Sequence, residues 1–326
     1  MQTPQTPSQM THLPLVTVLS YSTLERPYIG AVVRNAVMFS DLVVVCIGTR
    51  LYSGEEEDVG AAFRDHVLPT LMDRDKVILA AYDVPAVVSA SRHTSYLHNT
   101  ARLAGVRRAR AALGPTTPNF WTLLLDGDEV PEGARFAAWW AASRATLSRR
   151  TVYKMANHWA FLHPRLVAGV VEDSVVLVHS SILDHDAIMH PRERDGIYLW
   201  HWSSSSPTAL GSSDETGVRV ERNVSASAPL FWHFSWVRGL APTGDWDAID
   251  AAMRADPSDW SWLPAARAGI LAKVAKWGHR HDRDWASVIS DMFAALSSTH
   301  RWPTHDFVHG HALRVLPALP ASLLLP

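Results

Sequence analysis

Three carboxylates follow an apolar run near the middle of the chain. Residues 121–125 have the apolar character of a core strand, and Asp126, Asp128 and Glu129 come directly after them. A buried strand delivers acidic groups in this way to the carboxyl edge of an open α/β sheet, where such sheets bind ligands. Asp126 and Asp128 are predicted to share one side, because strand side chains alternate with period two. Two hard oxygen ligands held together suit Mn²⁺ or Mg²⁺, which neutralises a diphosphate, so this motif predicts a metal-dependent nucleotide site.

The same Asp-Gly-Asp tripeptide is also compatible with an ordinary turn. Aspartate and glycine favour tight turns, and Pro131 would then open a helix. Short motif matches are often accidental, so on the tripeptide alone the turn is the commoner outcome. The prediction of a metal site therefore depends on what the rest of the chain places around these residues.

Composition limits the class of protein. The 326 residues suffice for one large α/β domain or two small ones, and the net charge of −2 gives no global attraction to nucleic acid or anionic membranes. The single cysteine, Cys46, lies in an apolar run and fits a reducing compartment. Residues 1–11 are polar, which predicts a disordered N-terminus without a signal peptide, and no stretch reaches the about 20 apolar residues of a membrane span. We expect a cytoplasmic protein without a membrane partner.

Apolar runs and helical spacing alternate in the first half of the chain, which predicts a mostly parallel sheet with helices on both faces. The expected strands are 13–20, 41–48, 76–82 and 121–125, and the expected helices are 27–39, 55–73 and 99–113. After Asp128 the pattern becomes an aromatic-rich α+β extension that holds most of the 14 tryptophans. Its expected helices are 134–147, 263–277 and 285–296, its expected strands are 151–156, 170–179 and 229–237, and residues 203–228 are expected to form a loop.

The order of these elements resembles the GT-A fold nucleotide-sugar glycosyltransferases, in particular soluble family 2-like enzymes of phages and bacteria. The matching residues are Ser20-Tyr21-Ser22 with Glu25, Gly48-Thr49, Asn99-Thr100-Ala101-Arg102 with Gly105, and the segment LLLDGDEVP. Three later segments are similar more loosely: HFSWVRG at 233–239, LAKVAKWGH at 271–279 and DFVHG at 306–310. The second strand departs from the family by ending in Gly48-Thr49-Arg50 instead of an acidic pair near the uracil.

The resemblance implies a GT-A fold and metal-dependent, inverting transfer of a sugar from a nucleoside diphosphate, first of all a UDP-sugar. Residues 12–150 would then form the nucleotide-sugar-binding half, and residues 151–326 the acceptor-binding half with C-terminal helices. The residues expected to contact the donor are Ser20, Tyr21, Ser22, Glu25, Gly48, Thr49, Arg102, Asp126, Arg238 and Lys276. Asp126 and Asp128 would hold Mn²⁺ or Mg²⁺.

Histidines and later carboxylates complete the predicted site. Imidazole suits Mn²⁺, so His233, between two aromatic residues, is the first candidate for a further metal ligand and His279 is the second. A histidine bonded within an aromatic core is the alternative for both. Sugar transfer also needs a base for the acceptor hydroxyl, for which Glu172 and Asp173 are the leading candidates, followed by Asp184, Asp186 and Asp195.

The acceptor is not specified by these residues. The likeness to phage enzymes makes a 5-hydroxymethyl pyrimidine in DNA one candidate, inside the host cell if a phage encodes the protein, and a polysaccharide or protein hydroxyl is the alternative. An arginine patch would then meet DNA phosphates: Arg92, Arg102, Arg107, Arg108 and Arg110. Two further classes remain open, a sugar-phosphate nucleotidyltransferase and a non-catalytic binding module.

Overall fold

A computed structural model describes residues 12–22, 25–86, 95–161, 166–204, 217–237, 263–275, 287, 289–291, 293–294, 313–316 and 323. Within these ranges ten strands join in a single sheet. They are β1 (Leu15–Tyr21), β2 (Leu42–Gly48), β3 (Val77–Tyr82), β4 (Trp121–Asp126), β5 (Glu129–Pro131), β6 (Thr151–Phe161), β7 (Leu166–His179), β8 (Arg219–Val224), β9 (Phe231–Trp236) and β10 (Leu313–Val315). The helices are α1 (Arg26–Ala36), α2 (Val59–His66), α3 (Tyr96–Leu113), α4 (Gly133–Ser143), α5 (His185–Ile188), α6 (Gly196–Ser204) and α7 (Leu263–Ala275).

The sheet has a parallel half and a mixed half. Its strand order is β3-β2-β1-β4-β7-β6-β9-β5, with β8 paired to β6 and β10 paired to β7. The first four strands run parallel, and β7 then runs antiparallel to both β4 and β6. In the mixed half, β9 runs parallel to β6 and antiparallel to β5. One sheet therefore contains strands from before and after residue 150, the predicted boundary between the nucleotide-sugar-binding and acceptor-binding halves.

Alternating side chains divide the core into two layers, one on each face of the sheet. Leu123 and Leu125 pack with α1, α2 and α4 on one face, whereas Leu124 packs with α3, α5 and α6 on the other. Strands β1, β2 and β4 are buried on both faces, which explains why they are continuous apolar runs in the sequence, whereas the edge strand β3 is partly exposed. Asp126 and Leu124 lie two residues apart on β4, so their side chains point to the same face. The Asp126 side chain is therefore directed to the α3 face.

Helix α3 lies close to the sheet because it has a glycine at the contact. A Cβ atom added at Gly105 would lie 2.4 Å from Val18 Cγ1 and 2.5 Å from Cys46 Sγ. No side chain fits at those distances. This close approach brings Arg102, one turn earlier on the same face of the helix, to the carboxyl ends of β1 and β4.

The predicted α/β fold, with a mostly parallel sheet and helices on both faces, is confirmed. Several details differ from the sequence analysis. The predicted helix 55–73 is limited to α2, Pro131 lies in β5 and does not open a helix, and α5, α6 and β10 were not predicted. Strand β8 lies inside the predicted loop 203–228, where its exposed residues pair with the buried strand β6, and the short strand β5 was not predicted. The predicted disordered segment 1–11 lies outside the described residues. Among the helices of the described ranges, none combines the length and apolar character needed to cross a membrane.

Candidate functional site

The acidic residues lie at the topological switch point of the sheet. From β1 the chain continues to β2 and β3 on one side, and it returns to β4 on the other side of β1. A crevice forms at such a point outside the carboxyl ends of the strands, and open α/β sheets bind ligands there. Ser20, at the end of β1, is paired with Asp126 at the end of β4, and the Ser20 hydroxyl donates a hydrogen bond of 2.8 Å to Asp126 Oδ1.

Asp126 is held by two guanidinium groups. Arg102 Nη2 lies 2.9 Å from Oδ1, and Arg194 Nη2 lies 3.4 Å from Oδ2. The Arg102 side chain is 2 % exposed, so this ion pair is shielded from water. Burial by itself would raise the pKa of Asp126, but the charges of Arg102 and Arg194 outweigh it and hold the pKa well below the usual value. Asp126 is therefore a permanent carboxylate, and both of its oxygens have partners.

Glu129 is the second carboxylate on this side. Its side chain is fully buried and forms a two-pronged ion pair with Arg194, with Nη1–Oε2 at 2.7 Å and Nη2–Oε1 at 2.9 Å. Glu129 Oε2 also accepts the backbone N–H of Asp126 at 2.8 Å. We call Asp126, Glu129, Arg102 and Arg194 the arginine side of the turn. Its two carboxylates and two guanidiniums balance each other in charge.

Hydrogen bonds extend the arginine side in both directions through the protein. Ser174 Oγ on β7 donates to Glu129 Oε1 at 2.5 Å and accepts from the side-chain amide of Asn157 on β6. At the other end Arg102 donates to Asn99, whose side-chain amide donates to the carbonyl of His190. A buried polar chain thus runs from the mixed half of the sheet to α3, and it fixes the turn between β4 and β5.

Asp128, two residues after Asp126, has a different environment. Glu129 is paired with His233 in the β5–β9 ladder, and the backbone N–H of Phe234 donates to the Asp128 carbonyl at 2.8 Å. This register places His233 Nε2 3.7 Å from Asp128 Oδ1. On the other edge of the imidazole ring, Nδ1 lies 3.0 Å from Glu172 Oε2. We call Asp128, His233 and Glu172 the histidine side of the turn.

The histidine side attracts positive charge. Burial lowers the pKa of His233, but the hydrogen bond and charge of Glu172, with the charges of Asp128 and Glu129, outweigh it and raise the pKa to about 9. Unlike the arginine side, this cluster has two carboxylates of its own and one imidazole. A divalent cation bound by Asp128 and by neutral His233, in place of the Nε2 proton, would balance the two carboxylates.

The donor set on the histidine side fits a divalent metal ion. A histidine that binds a metal through one nitrogen usually donates its other N–H to a carboxylate, as Glu172 provides here. Oxygen and imidazole ligands suit Mn²⁺. No group of three or more His, Cys, Asp or Glu side chains able to hold a metal is found in the described ranges. The described residues would thus supply two ligands, Asp128 and His233, and a diphosphate could complete the coordination.

Asp173 is directed away from this cluster, because neighbouring strand residues point to opposite faces. Arg222 contacts both of its oxygens, at 2.8 and 2.9 Å, and Lys154 Nζ lies 3.2 Å away. Lys154 also pairs with Asp195 at 2.6 Å. Burial raises the pKa of Asp173, but the hydrogen bonds and charges of Arg222 and Lys154 prevail and lower it. Asp173 is thus a structural ion-pair partner, whereas Glu172, with its side chain 35 % exposed, faces the site.

Glu25, one of the predicted donor residues after β1, packs against the turn that carries Asp126 and Asp128. Glu25 accepts hydrogen bonds from the backbone N–H and the hydroxyl of Ser22. A Cβ atom at Gly127 would lie 2.8 Å from Glu25 Cβ, so a glycine is needed between the two aspartates. Tyr21 is 3 % exposed and its ring packs on Phe63, which makes it a core residue.

Gly48 and Thr49 lie two strands away from Asp126 on the same edge of the sheet. They line a cavity of about 640 Å³ between the ends of β2 and β3 and the N-terminal part of α2. Thr49 is fixed at its rim, because Thr49 Oγ1 lies 3.1 Å from Asp83 Oδ1 and accepts the backbone N–H of Val84. The structure therefore separates the predicted donor residues into a carboxylate cluster and a cavity beside it.

Of the arginine patch predicted for DNA phosphates, Arg102 is buried, whereas Arg107, Arg108 and Arg110 are exposed. Arg102 is buried against Asp126, and Arg110 donates to the carbonyls of Ser180 and Leu183. Arg108 donates to the carbonyl of Leu79, and Arg107 is exposed. Arg108 and Arg110 thus bond to neighbouring carbonyls while remaining exposed. Arg92 lies outside the described residues, as do the predicted site residues Arg238, Lys276 and His279.

Arg194 is the site residue that the sequence analysis missed. It lies in a short 3₁₀ turn, Glu193–Asp195, amid charged residues that resemble an exposed loop. In the structure its side chain is 9 % exposed and reaches both carboxylates of the arginine side. Neither periodicity nor spacing distinguishes it from Arg192, since its partner Glu129 is 65 residues away.

Comparisons with solved structures give weak likenesses, of which two are described. No protein-family model matches the chain, and no curated protein sequence matches it. A crystal structure of a glycosyltransferase involved in glycosylation of the major capsid of PBCV-1 has a TM-score of 0.29 and 14 % identity, over 68 % of this chain and 94 % of that one. The glycosyltransferase GlyE of Streptococcus pneumoniae TIGR4 has a TM-score of 0.29 and 9 % identity, over 88 % of this chain and 64 % of that one.

Proposed function

We propose that this protein is a metal-dependent glycosyltransferase that moves a sugar from a nucleoside diphosphate to an acceptor hydroxyl. The observation that carries the proposal is the placement of Asp128 and His233 at the switch point of the sheet, 3.7 Å apart and beside a charge-balanced arginine cluster. The neutral arginine side holds the turn rigid. The histidine side, with its excess of carboxylates, can bind the cation that accompanies a diphosphate.

Each residue of the turn then has a separate role. Asp128 and His233 would hold Mn²⁺ or Mg²⁺, which supplies charge stabilisation for the departing nucleoside diphosphate. Asp126 was also expected to bind the metal, but both of its oxygens are bonded to Ser20 or arginine. We therefore assign Asp126 to positioning, together with Glu129 and Arg194, because a rigidly held turn needs no reorganisation during the reaction.

Glu172 is proposed to orient His233, not to take the acceptor proton. Its carboxylate accepts from Nδ1, which directs Nε2 toward Asp128. The two roles make different predictions for a Glu172→Gln variant. Loss of an orienting carboxylate weakens metal binding, whereas loss of a base lowers the transfer rate and leaves metal affinity unchanged.

An inverting outcome is also part of the proposal. The anomeric configuration of the product, determined by NMR, would decide between inversion and retention.

A donor screen tests the function. The full-length protein is incubated with a panel of nucleoside diphosphate sugars in Mn²⁺, and released nucleoside diphosphate is measured with and without a chelator. We expect release from one donor class that stops on chelation and returns when Mn²⁺ is restored. Folded protein that releases nothing from any donor would rule out the proposed activity, and release that is unchanged by chelation would rule out the role of the metal.

The acceptor needs a separate experiment. A hydroxymethylated pyrimidine in DNA is one candidate, and three arginines of α3, Arg107, Arg108 and Arg110, are exposed. Duplex binding that depends on phosphate contacts weakens steeply with salt. Absence of binding to hydroxymethylated duplexes at low salt would exclude this acceptor and favour a polysaccharide or protein hydroxyl.

A further inference from the structure

A tryptophan on strand β6 borders the histidine side. Trp159 is paired with His233 in the β6–β9 ladder, so the two side chains lie next to each other on one face of the sheet. Their ring centroids are 6.1 Å apart, and the two ring planes are inclined by 12°. Trp159 is partly exposed. An aromatic surface therefore lies directly beside the imidazole that is proposed to hold the metal.

The charged groups next to this indole are mostly acidic. Glu172 Oε2 lies 3.0 Å from one nitrogen of His233, and Asp128 Oδ1 lies 3.7 Å from the other. The Glu172 side chain is 35 % exposed, so a ligand can reach it. Asp173 and the cations bonded to it point to the opposite face of β7. Among the described residues, the surface beside Trp159 thus combines an indole with two carboxylates and one imidazole.

A sugar ring matches an indole that is bordered by carboxylates. One face of a pyranose carries C–H groups that pack against an aromatic ring, and the hydroxyl groups at its rim donate hydrogen bonds to carboxylate oxygens. A DNA base also stacks on an indole, but it brings phosphates, which the carboxylates repel. A serine or threonine of a protein acceptor presents no ring. This surface therefore favours a carbohydrate over the other two acceptors.

We propose that Trp159 is the platform that holds a carbohydrate acceptor. The inference rests on the proposed function and names its acceptor. Because the indole lies one strand from His233, a sugar resting on it lies beside the place where the diphosphate would be bound. In the transfer, the acceptor oxygen bonds to the anomeric carbon and the bond from that carbon to the diphosphate breaks. The diphosphate leaves with the electron pair, and the acceptor proton passes to solvent.

Binding of simple glycosides tests the platform without requiring a donor. Methyl glycosides of common hexoses and N-acetylhexosamines, and a hydroxymethylated DNA duplex, are added to the full-length protein with UDP or GDP in Mg²⁺, and saturation-transfer NMR measures their affinity. The variants are Trp159→Ala, Trp159→Phe and Trp139→Ala. Trp139 is the matched control, because it is also a partly exposed tryptophan but lies on α4 and packs on Phe136. Thermal unfolding checks the fold of each variant.

We expect the wild type and Trp139→Ala to bind at least one glycoside, and Trp159→Ala to bind it at least about tenfold more weakly, as is typical when a stacking ring is removed. The indole N–H resonance that is missing from Trp159→Phe should shift when this glycoside is added to the wild type, so the test does not depend on the folding of Trp159→Ala. Absence of glycoside binding, binding that survives Trp159→Ala, or an unmoved Trp159 resonance would overturn the inference. Duplex binding that depends on Trp159 would also overturn it.

A transfer assay separates the platform from the proposed function. With a donor that the screen identifies and the bound glycoside as acceptor, Trp159→Ala should raise the acceptor KM with a smaller effect on kcat, and Trp159→Phe should recover part of the loss. An unchanged acceptor KM with a lower kcat would assign Trp159 to the support of His233 and overturn the platform alone. Glycoside binding that depends on Trp159, without release from any donor, would overturn the proposed transfer and leave a carbohydrate-binding surface.

Discussion

The two sides of the turn between β4 and β5 differ in how their charges are satisfied. On the arginine side, Asp126 and Glu129 are neutralised by Arg102 and Arg194, which are 2 % and 9 % exposed. On the histidine side, Asp128 and Glu172 share one imidazole. Two aspartates separated by a single glycine thus have different tasks. The arginine side pairs its carboxylates with guanidiniums at the switch point, whereas among the described contacts the two carboxylates of the histidine side meet one imidazole.

The largest effect should come from breaking the arginine side. Arg194→Ala leaves Glu129 buried and without its guanidinium, and we expect a loss of about 3–5 kcal/mol in the free energy of unfolding, measured by urea denaturation. Arg192→Ala is the control, because Arg192 is exposed in the same turn. A second substitution, Glu129→Gln, should recover part of the loss. An Arg194→Ala variant as stable as the control would show that the pair does not hold the turn.

Asp128→Asn tests the histidine side and should act on activity instead of stability. The substitution keeps the shape and removes a metal ligand, so we expect metal-dependent release of nucleoside diphosphate to fall by about 10²–10³-fold. The urea midpoint should stay close to that of the wild type, since Asp128 is not part of the arginine cluster. Unchanged release, or unfolding comparable to that of Arg194→Ala, would remove the distinction between the two sides.

A smaller change on the histidine side is expected from Glu172→Gln. The affinity for Mn²⁺, measured by titration calorimetry in the presence of GDP and of UDP, should fall by about 10–100-fold, as is typical for a carboxylate that orients a metal-binding histidine. Glu221→Gln, on the exposed strand β8, provides the control. If Mn²⁺ affinity is unchanged and only the transfer rate falls, Glu172 is the base that the sequence analysis predicted.

The smallest effect concerns Asp173, next to Glu172 but on the opposite face of β7. Because Arg222 and Lys154 lower its pKa in the folded protein, its contribution to stability is complete above the unfolded-state pKa of about 3.9 and is lost as the pH falls through the folded-state pKa. Urea denaturation from pH 6 down to pH 3 should therefore show a shallower loss in Asp173→Asn than in the wild type. Parallel profiles would mean that the ion pairs contribute no net stability.

The sequence predicted much of the first half of the fold for a physical reason. Strands β1, β2 and β4 are buried on both faces, so they are short continuous apolar runs, and α3 ends before Gly114 as expected. Strand β8 was missed because its residues are mostly exposed, and it is a strand only because β6 pairs with it. A turn does lie at residues 127–128, as the alternative for Asp-Gly-Asp predicted, but Pro131 lies in β5 and the next helix begins at Gly133.

Local pattern and long-range pairing thus account for different parts of this protein. Periodicity and residue type determined that apolar strands alternate with helices and that carboxylates follow β4, because these signals lie within a few neighbouring residues. Only the tertiary structure decided which carboxylate meets arginine and which meets histidine. The deciding contacts, Arg194 with Glu129 and His233 with Glu172, join residues 65 and 61 positions apart. Such contacts arise from strand register and helix packing, and no local pattern encodes them.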